Sequence, residues 1–215
     1  MGFEICLVIV SWLLYLLLLP QSLKNLTDQL SCLPGLGQRS ATRLAFYLLN
    51  QPQKDLTTLA RAINEVKAKT KTCPRCFNLT SGADLCAVCS DKKRRQNLIC
   101  VVEDILDIVS IERTRHFNGV YHVLGGLISP LDGLTPDKLH IRELAGRIKQ
   151  MAGQSAEIIL ALNPTTEGDT TALYLEKLLT PLKVNITKLN RGLATGSDLE
   201  YADETTLLNA LKFRH

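Results

Sequence analysis

Four cysteines in the first half of the chain have the spacing of a metal site. They stand in CPRCFNLTSGADLCAVC (residues 73–89), where two C-x-x-C pairs are separated by nine residues. Each pair makes a tight knuckle, and two knuckles complete the closed tetrahedral shell of a structural zinc. This spacing disfavours the alternative of unrelated or redox-active thiols, and it leaves no coordination position open for catalysis. The predicted ligands of one zinc ion per chain are Cys73, Cys76, Cys86 and Cys89.

Two polar segments each follow a predicted strand in the second half of the chain. LICVVE (98–103) ends in Glu103, and EIILAL (157–162) leads into the turn NPTTEG (163–168). Because the carboxyl ends of parallel strands share one edge of a sheet, we expect these segments to lie at the same edge. A glycine-containing turn between a strand and a helix is also a place where phosphates and metal ions bind.

Together the two segments resemble the Toprim domain of topoisomerases, primases and some nucleases. In that family a glutamate after the first strand and a D-x-D-x-E-G turn hold Mg²⁺. Glu103 matches the first glutamate and Glu167 matches the last acid of the turn, whereas Asn163 and Thr165 replace the two aspartates. Because Mg²⁺ prefers anionic oxygens, the loss of two negative charges disfavours a metal-dependent active site. The sequence therefore predicts a Toprim edge that does not cut DNA.

Glu103, Asp132 and Glu167 are expected to bind one Mg²⁺ ion weakly at most, and the alternative is a Mg²⁺-dependent nuclease or topoisomerase-like enzyme with a rearranged set of acids. Strand cleavage also requires a nucleophile or a metal-activated water. The one sequence-plausible nucleophile is Tyr121, which lies in a predicted strand and is interpreted as core. We therefore expect a protein without enzymatic activity and without a small-molecule substrate.

A glycine-containing turn near the N-terminus indicates binding to the DNA backbone. LSCLPGLGQRSATRLAF (30–46) places Gly35 and Gly37 between two helical patterns, with Arg39 and Arg43 on one face of the second. Backbone N–H groups at such a turn and helix start bind phosphate oxygens without reading bases. The stretch resembles a helix-hairpin-helix motif. The alternative is a hairpin whose glycines only permit close packing, and the two arginines favour phosphate binding.

The charge distribution points to the same half of the chain. Residues 23–97 carry 13 Lys/Arg and 5 Asp/Glu, whereas residues 98–215 carry 12 and 15. A polyanion would therefore meet the first half, and the acidic second half suits a basic protein partner. Aromatic residues are only 5% of the chain and do not interleave with the basic run, so stacking on single-stranded bases is not indicated.

The hydrophobic pattern predicts the elements that position these residues. Helices are expected at 22–33, 38–50 and 56–70, and strands and helices alternate from residue 98 onward, which is typical of a parallel sheet. The predicted fold class is α+β with several modules: a helix-hairpin-helix region, a small zinc knuckle, and an α/β Toprim domain with a mainly parallel four-stranded sheet. The expected domain bounds are 22–70, 73–89, 97–192, and a C-terminal segment 193–215.

The N-terminus carries an apolar run, ICLVIVSWLLYLLLL (5–19). Its 15 residues are fewer than the ~20 that span a membrane, and it lacks the flanking features of a signal peptide. We interpret residues 1–21 as an extension foreign to the folded domains and expect a cytoplasmic, nucleoid-associated protein. A membrane-tethered DNA-binding protein is the alternative. The cysteines outside the metal pattern, Cys6, Cys32 and Cys100, are predicted to be buried small hydrophobes.

The order of the modules resembles the RecR family of bacterial recombination mediators, from about Ser22 to the end of the chain. SPLDG (129–133) and GSDLEYADETTL (196–207) also match that family, whereas residues 1–21 have no counterpart and Ala194 stands where a proline is expected.

The resemblance implies a non-catalytic clamp that forms a dimer or a tetrameric ring around DNA, with the hairpin facing the duplex. It implies that the Toprim edge contacts RecO and RecF, and that the complex helps RecA displace single-strand-binding protein at gaps. The ring rests on the resemblance alone.

Overall fold

The structure is a computed structural model that describes residues 19–82, 84–151, 155–190, 192, 193, 196 and 198–212. The apolar run up to residue 18, Cys6 and Ala194 lie outside the described residues. Within the described ranges, no helix is both long and apolar enough to cross a membrane. The chain divides into two compact units, Met1–Ala68 and Lys69–His215.

The first unit contains three helices, α1 (Gln21–Ser31), α2 (Gln38–Leu49) and α3 (Gln53–Lys69). Helix α1 packs against α2, and the buried positions in these two helices are Leu23, Thr27, Ala41 and Ala45.

Leu44 and Leu49 lie at apolar positions of α2 but do not face inward, since their exposed fractions are 37% and 63%. Helix α2 meets its neighbour along the small side chains of Ala41 and Ala45, which let the backbones approach closely. The remaining apolar face of the helix stays open.

The second unit begins with the cysteine segment. A two-residue antiparallel pair, β1 (Lys71–Thr72) and β2 (Leu79–Thr80), is followed by the single turn α4 (Ala87–Ser90). Cys86 caps the N-terminus of α4.

A four-stranded sheet forms the body of the second unit. Its strands are β3 (Arg95–Val102), β4 (Gly119–Val123), β5 (Glu157–Ala161) and β6 (Asn185–Lys188), in the spatial order β4-β3-β5-β6. Every pairing is parallel, as the alternation of strands and helices predicts. The connecting helices are α5 (Ile105–Arg113), α6 (Ile141–Lys149) and α7 (Thr166–Leu179), and α8 (Glu204–Lys212) follows the sheet.

Both faces of the sheet are buried. Alternate residues of β3 point to opposite sides, so that Ile99 and Val101 belong to one apolar cluster and Cys100 and Val102 to another. Cys100 is therefore buried as predicted, whereas Cys32 is exposed because it lies at the solvent-facing end of α1.

Some element boundaries differ from the sequence expectation, and helix α3 begins at Gln53 rather than at residue 56. Strand β3 begins at Arg95, three residues early, since the Arg95 amide donates to the Asn118 carbonyl at 2.9 Å. Helix α6 begins only at Ile141, because the preceding residues Pro136–Lys138 form a separate 3₁₀ turn.

Candidate functional site

The four predicted zinc ligands converge at one point. Their sulfurs all lie within 4.8 Å of one another, and each residue is at most 4% exposed. The Cys76 and Cys86 sulfurs are 3.5 Å apart. Four buried sulfurs arranged in this way fit Zn²⁺ better than any other role of cysteine. The segment therefore holds one structural zinc.

Backbone N–H groups donate hydrogen bonds to two of these sulfurs and so orient them. The amides of Cys86 and Cys89 donate to the sulfurs of Cys73 and Cys86, both at 3.4 Å. The hydrogen bond between the Cys76 and Cys89 side chains lowers the pKa of Cys89 to about 6 and raises the pKa of Cys76, so without metal these two sulfurs share a proton.

The zinc knuckle is attached to the end of strand β4. The Val123 amide donates to the Cys76 carbonyl at 2.9 Å. Phe77, whose φ of 64° turns the chain sharply, stacks on His140 with ring centroids 3.7 Å apart, and its edge meets His122 at 5.4 Å. Sequence analysis missed these residues, because neither a lone phenylalanine nor two distant histidines form a pattern.

At the Toprim edge the structure brings Glu103 and Asn163 together. Glu103 follows β3 and Asn163 follows the neighbouring β5. The Asn163 side-chain amide donates to a Glu103 carboxylate oxygen at 2.7 Å. Where the Toprim pattern has an acid that shares a cation with the glutamate, this chain has a donor that binds the glutamate directly.

The other position that replaces an aspartate also has an internal role. Thr165 is the N-cap of α7, and its hydroxyl accepts from the Gly168 amide at 3.1 Å. A Cβ on Gly168 would lie 2.0 Å from the Asn163 carbonyl oxygen, so only glycine allows the turn to close this tightly. Glu167 is exposed in the first turn of the helix.

The remaining predicted acid does not join this group. Asp132 accepts from the Ser129 hydroxyl at 2.6 Å within the turn after β4. Among the described residues, the four cysteines are the one cluster of three or more metal-ligating side chains. The structure therefore does not gather Glu103, Asp132 and Glu167 around a common point.

Tyr121 is core, as its strand position predicts. It is fully buried, and its hydroxyl donates to Glu112 at 2.7 Å. Burial and this hydrogen bond raise its pKa, which opposes the phenolate that a nucleophile requires. Arg94 also binds Glu112, through the two terminal nitrogens of its guanidinium, at 2.6 and 2.8 Å.

In the first unit the hairpin turn has an open backbone. Gly35 has a φ of 81°, and Gly37 caps α2 without a side chain. A Cβ on either glycine would meet nothing within 4 Å, so close packing within this unit does not explain them. Arg39 and Arg43 are both exposed on α2, beside N–H groups that have no acceptor within their own helix.

Comparison with known proteins shows which family has this set of modules. Family models match four consecutive segments: the RecR helix-hairpin-helix at residues 23–67, the RecR zinc finger domain with four cysteines at 70–91, the Toprim domain at 97–190, and the RecR C-terminal region at 192–215.

Full-length relatives give the same result. The chain is 50% identical over 192 residues to Recombination protein RecR of Cutibacterium acnes, and the aligned region covers 89% of this chain and 94% of the relative. It is 51% identical over 190 residues to that of Pelotomaculum thermopropionicum (88% and 94%), and 49% identical over 195 residues to that of Deinococcus radiodurans (91% and 86%). The chain is a zinc-binding Toprim protein with a helix-hairpin-helix region. It belongs to the RecR family of recombination proteins.

Proposed function

We propose that this protein is a non-catalytic recombination mediator in DNA repair, which holds DNA and docks protein partners without cutting a strand. The observation that carries the proposal is the hydrogen bond from Asn163 to Glu103. An amide donor at this place binds the carboxylate that a catalytic Mg²⁺ would need, and it brings no negative charge of its own.

The hairpin of the first unit is the proposed DNA-binding surface. Gly35 and Gly37 leave the backbone open to a phosphate, and Arg39 and Arg43 supply positive charge on the adjacent helix face. Since these groups contact phosphates rather than base edges, binding is sequence-independent and weakens steeply with salt.

The Toprim edge is the proposed docking surface for RecO and RecF. A cavity of about 780 Å³ lies there, lined by polar and apolar residues, and its charged side chains are three aspartates, Asp107, Asp169 and Asp203. An acidic surface of this kind suits a basic protein partner.

Self-association into a dimer or a tetrameric ring is part of the proposal. Leu49, Ile63 and Val66 of the first unit are each at least 63% exposed, and a cavity of about 360 Å³ beside them has an almost wholly apolar lining. Exposed apolar surface on this scale is typical of interfaces. We propose module bounds of 22–70, 73–89, 97–192 and 193–215.

The deciding experiment measures DNA binding by the paired variant Arg39→Glu/Arg43→Glu. Charge reversal should lower affinity for duplex DNA at low salt by at least about 100-fold, and it should flatten the salt dependence. Arg61→Glu, on the exposed face of α3, is the matched control and should change affinity only slightly. Equal affinities for the paired variant and the control would overturn the DNA-binding role.

A second assay tests the absence of catalysis. Supercoiled plasmid incubated with the protein and Mg²⁺ or Mn²⁺ should stay supercoiled. Nicking or relaxation that disappears in Glu103→Ala would instead assign an enzyme to this edge.

A further inference from the structure

Arg147, a buried cation in the second unit, has no acidic partner among the residues that the structure describes. Arg147, on helix α6, is only 7% exposed and forms no ion pair with a carboxylate among the described residues. One terminal nitrogen donates to the Tyr121 carbonyl at 2.7 Å. Its Nε and second terminal nitrogen are buried with no hydrogen-bond partner in the described part of the chain. A buried charge without compensation is strongly unfavourable, so a negative group should lie nearby.

The fold places this guanidinium beside the zinc knuckle. Tyr121 and Val123 are two residues apart on the outward edge of β4, a separation of about 6.6 Å. Arg147 binds the carbonyl of the first, and the Cys76 carbonyl accepts from the amide of the second. Pro74, between the two cysteines of the first knuckle, lines the same cavity as Arg147.

The electrostatics agree with this placement. Burial lowers the pKa of the Arg147 guanidinium and repulsion from Arg75 adds to that effect, whereas attraction to nearby cysteines, above all Cys89, opposes it. Four thiolates around one Zn²⁺ carry a net negative charge, and the cysteines are buried as deeply as the arginine. A dissolved anion is a poorer partner, because the two unpartnered nitrogens do not reach solvent.

We propose that Arg147 is the charge partner of the tetrathiolate zinc centre. One arm of its guanidinium is fixed to the edge of β4, and the other faces the thiolates. Retention of zinc therefore depends on a residue of the Toprim domain that lies outside the cysteine segment. Arg147 acts as a positioning residue for the metal site, and this role is independent of DNA binding.

The test compares Arg147→Met with Arg142→Met, an exposed arginine on the same helix. Zinc affinity is measured by competition with a chromophoric chelator in the full-length protein. Arg147→Met should bind zinc about 10- to 100-fold more weakly, the usual effect of losing an outer-shell partner. Arg142→Met should match the parent protein. Parental zinc affinity in Arg147→Met would overturn the proposal.

A spectroscopic readout separates this role from a purely structural one. With Co²⁺ in place of zinc, the sulfur-to-metal charge-transfer bands report the charge around the thiolates. These bands should shift in Arg147→Met and stay in place in Arg142→Met. A role limited to the Tyr121 hydrogen bond would leave the bands unmoved, and that result counts against the proposal.

Should Arg147→Met fail to fold even with excess zinc, Arg147→Lys decides the matter. Lysine keeps the charge but loses the planar fork, so zinc affinity should stay within about tenfold of the parent. A larger loss in a variant with an unchanged circular dichroism spectrum would overturn the proposal.

Discussion

The zinc knuckle and the Toprim edge both collect side chains that can bind metal, but they use them in opposite ways. In the knuckle, four sulfurs lie within 4.8 Å of one another, and two of them, those of Cys73 and Cys86, accept hydrogen bonds from backbone N–H groups. At the edge, the side chains satisfy each other: Asn163 binds Glu103, and Thr165 caps its own helix. A metal site needs donor atoms that converge on one point, and among the described residues the knuckle is where such donors converge.

Removing one cysteine should have the largest effect on this comparison. Cys76→Ser replaces a soft thiolate by a hydroxyl, so the segment should lose its zinc and unfold locally, because structural zinc contributes on the order of 10 kcal/mol to such small sites. Metal analysis and circular dichroism of the purified variant measure this. Cys32→Ser, at an exposed position, should retain one zinc. Stoichiometric zinc in Cys76→Ser would mean that the four-sulfur site is wrong.

The turn of the Toprim edge should break when Gly168 gains a side chain. Gly168→Ala places a Cβ against the Asn163 carbonyl, and it should lower the free energy of unfolding by about 1–3 kcal/mol. Gly146→Ala is the control, since a Cβ there meets nothing within 4 Å inside α6 and should be neutral or stabilising. Urea unfolding of both variants measures the difference, and equal midpoints would contradict the tight turn.

Restoring an acid should make the edge more like a metal site. Asn163→Asp replaces the hydrogen bond to Glu103 by a repulsion between carboxylates, so the metal-free variant should lose about 1 kcal/mol of stability. Millimolar Mg²⁺ should recover part of that loss by binding between the two acids. Thermal melts with and without Mg²⁺ measure this, with Asn163→Ala as the uncharged control. If Mg²⁺ does not change the melting temperature of Asn163→Asp, then restoring one acid is not enough to make this edge bind the metal.

The smallest expected effect concerns acid stability. A hydrogen bond from the Arg94 guanidinium holds the pKa of Glu112 below its ordinary range. The stabilisation is therefore present above the unfolded-state pKa of about 4.3, and it is lost as the pH falls through the lower folded-state value. Glu112→Gln should lose about 1 kcal/mol or less at neutral pH and decline less steeply below about pH 4.

Urea titrations at neutral and acidic pH measure this effect. Glu176→Gln, which breaks a more exposed pair with Lys188, is the control and should show a smaller change. If Glu112→Gln and the parent protein lose stability identically as the pH falls, the ion pair between Arg94 and Glu112 does not contribute to stability.

Sequence alone predicted the parts of the site that have a fixed local spacing. The two C-x-x-C pairs specify a tetrahedral sulfur set regardless of the surrounding fold, and alternating strands and helices bring residues 103 and 163 to one edge. The hydrogen bond between them was not predictable, because an asparagine in place of an acid shows only that a charge is missing.

Contacts between segments that are far apart in the chain could not be predicted from the sequence either. Phe77 stacks on His140, 63 positions away, and Arg147 of helix α6 donates a hydrogen bond to the outer edge of strand β4. Nothing in the local pattern distinguishes Arg147 from the exposed Arg142, since the difference arises from which face of α6 packs on the sheet.

The hydrogen bond from Val123 to Cys76 has a consequence for solubility. Strand β4 lies at the border of its sheet, and an uncovered border strand is a template for pairing with other chains. The first cysteine knuckle covers part of that border. We therefore expect zinc binding to limit aggregation as well as to shape its own segment, because loss of the metal would expose part of this border strand.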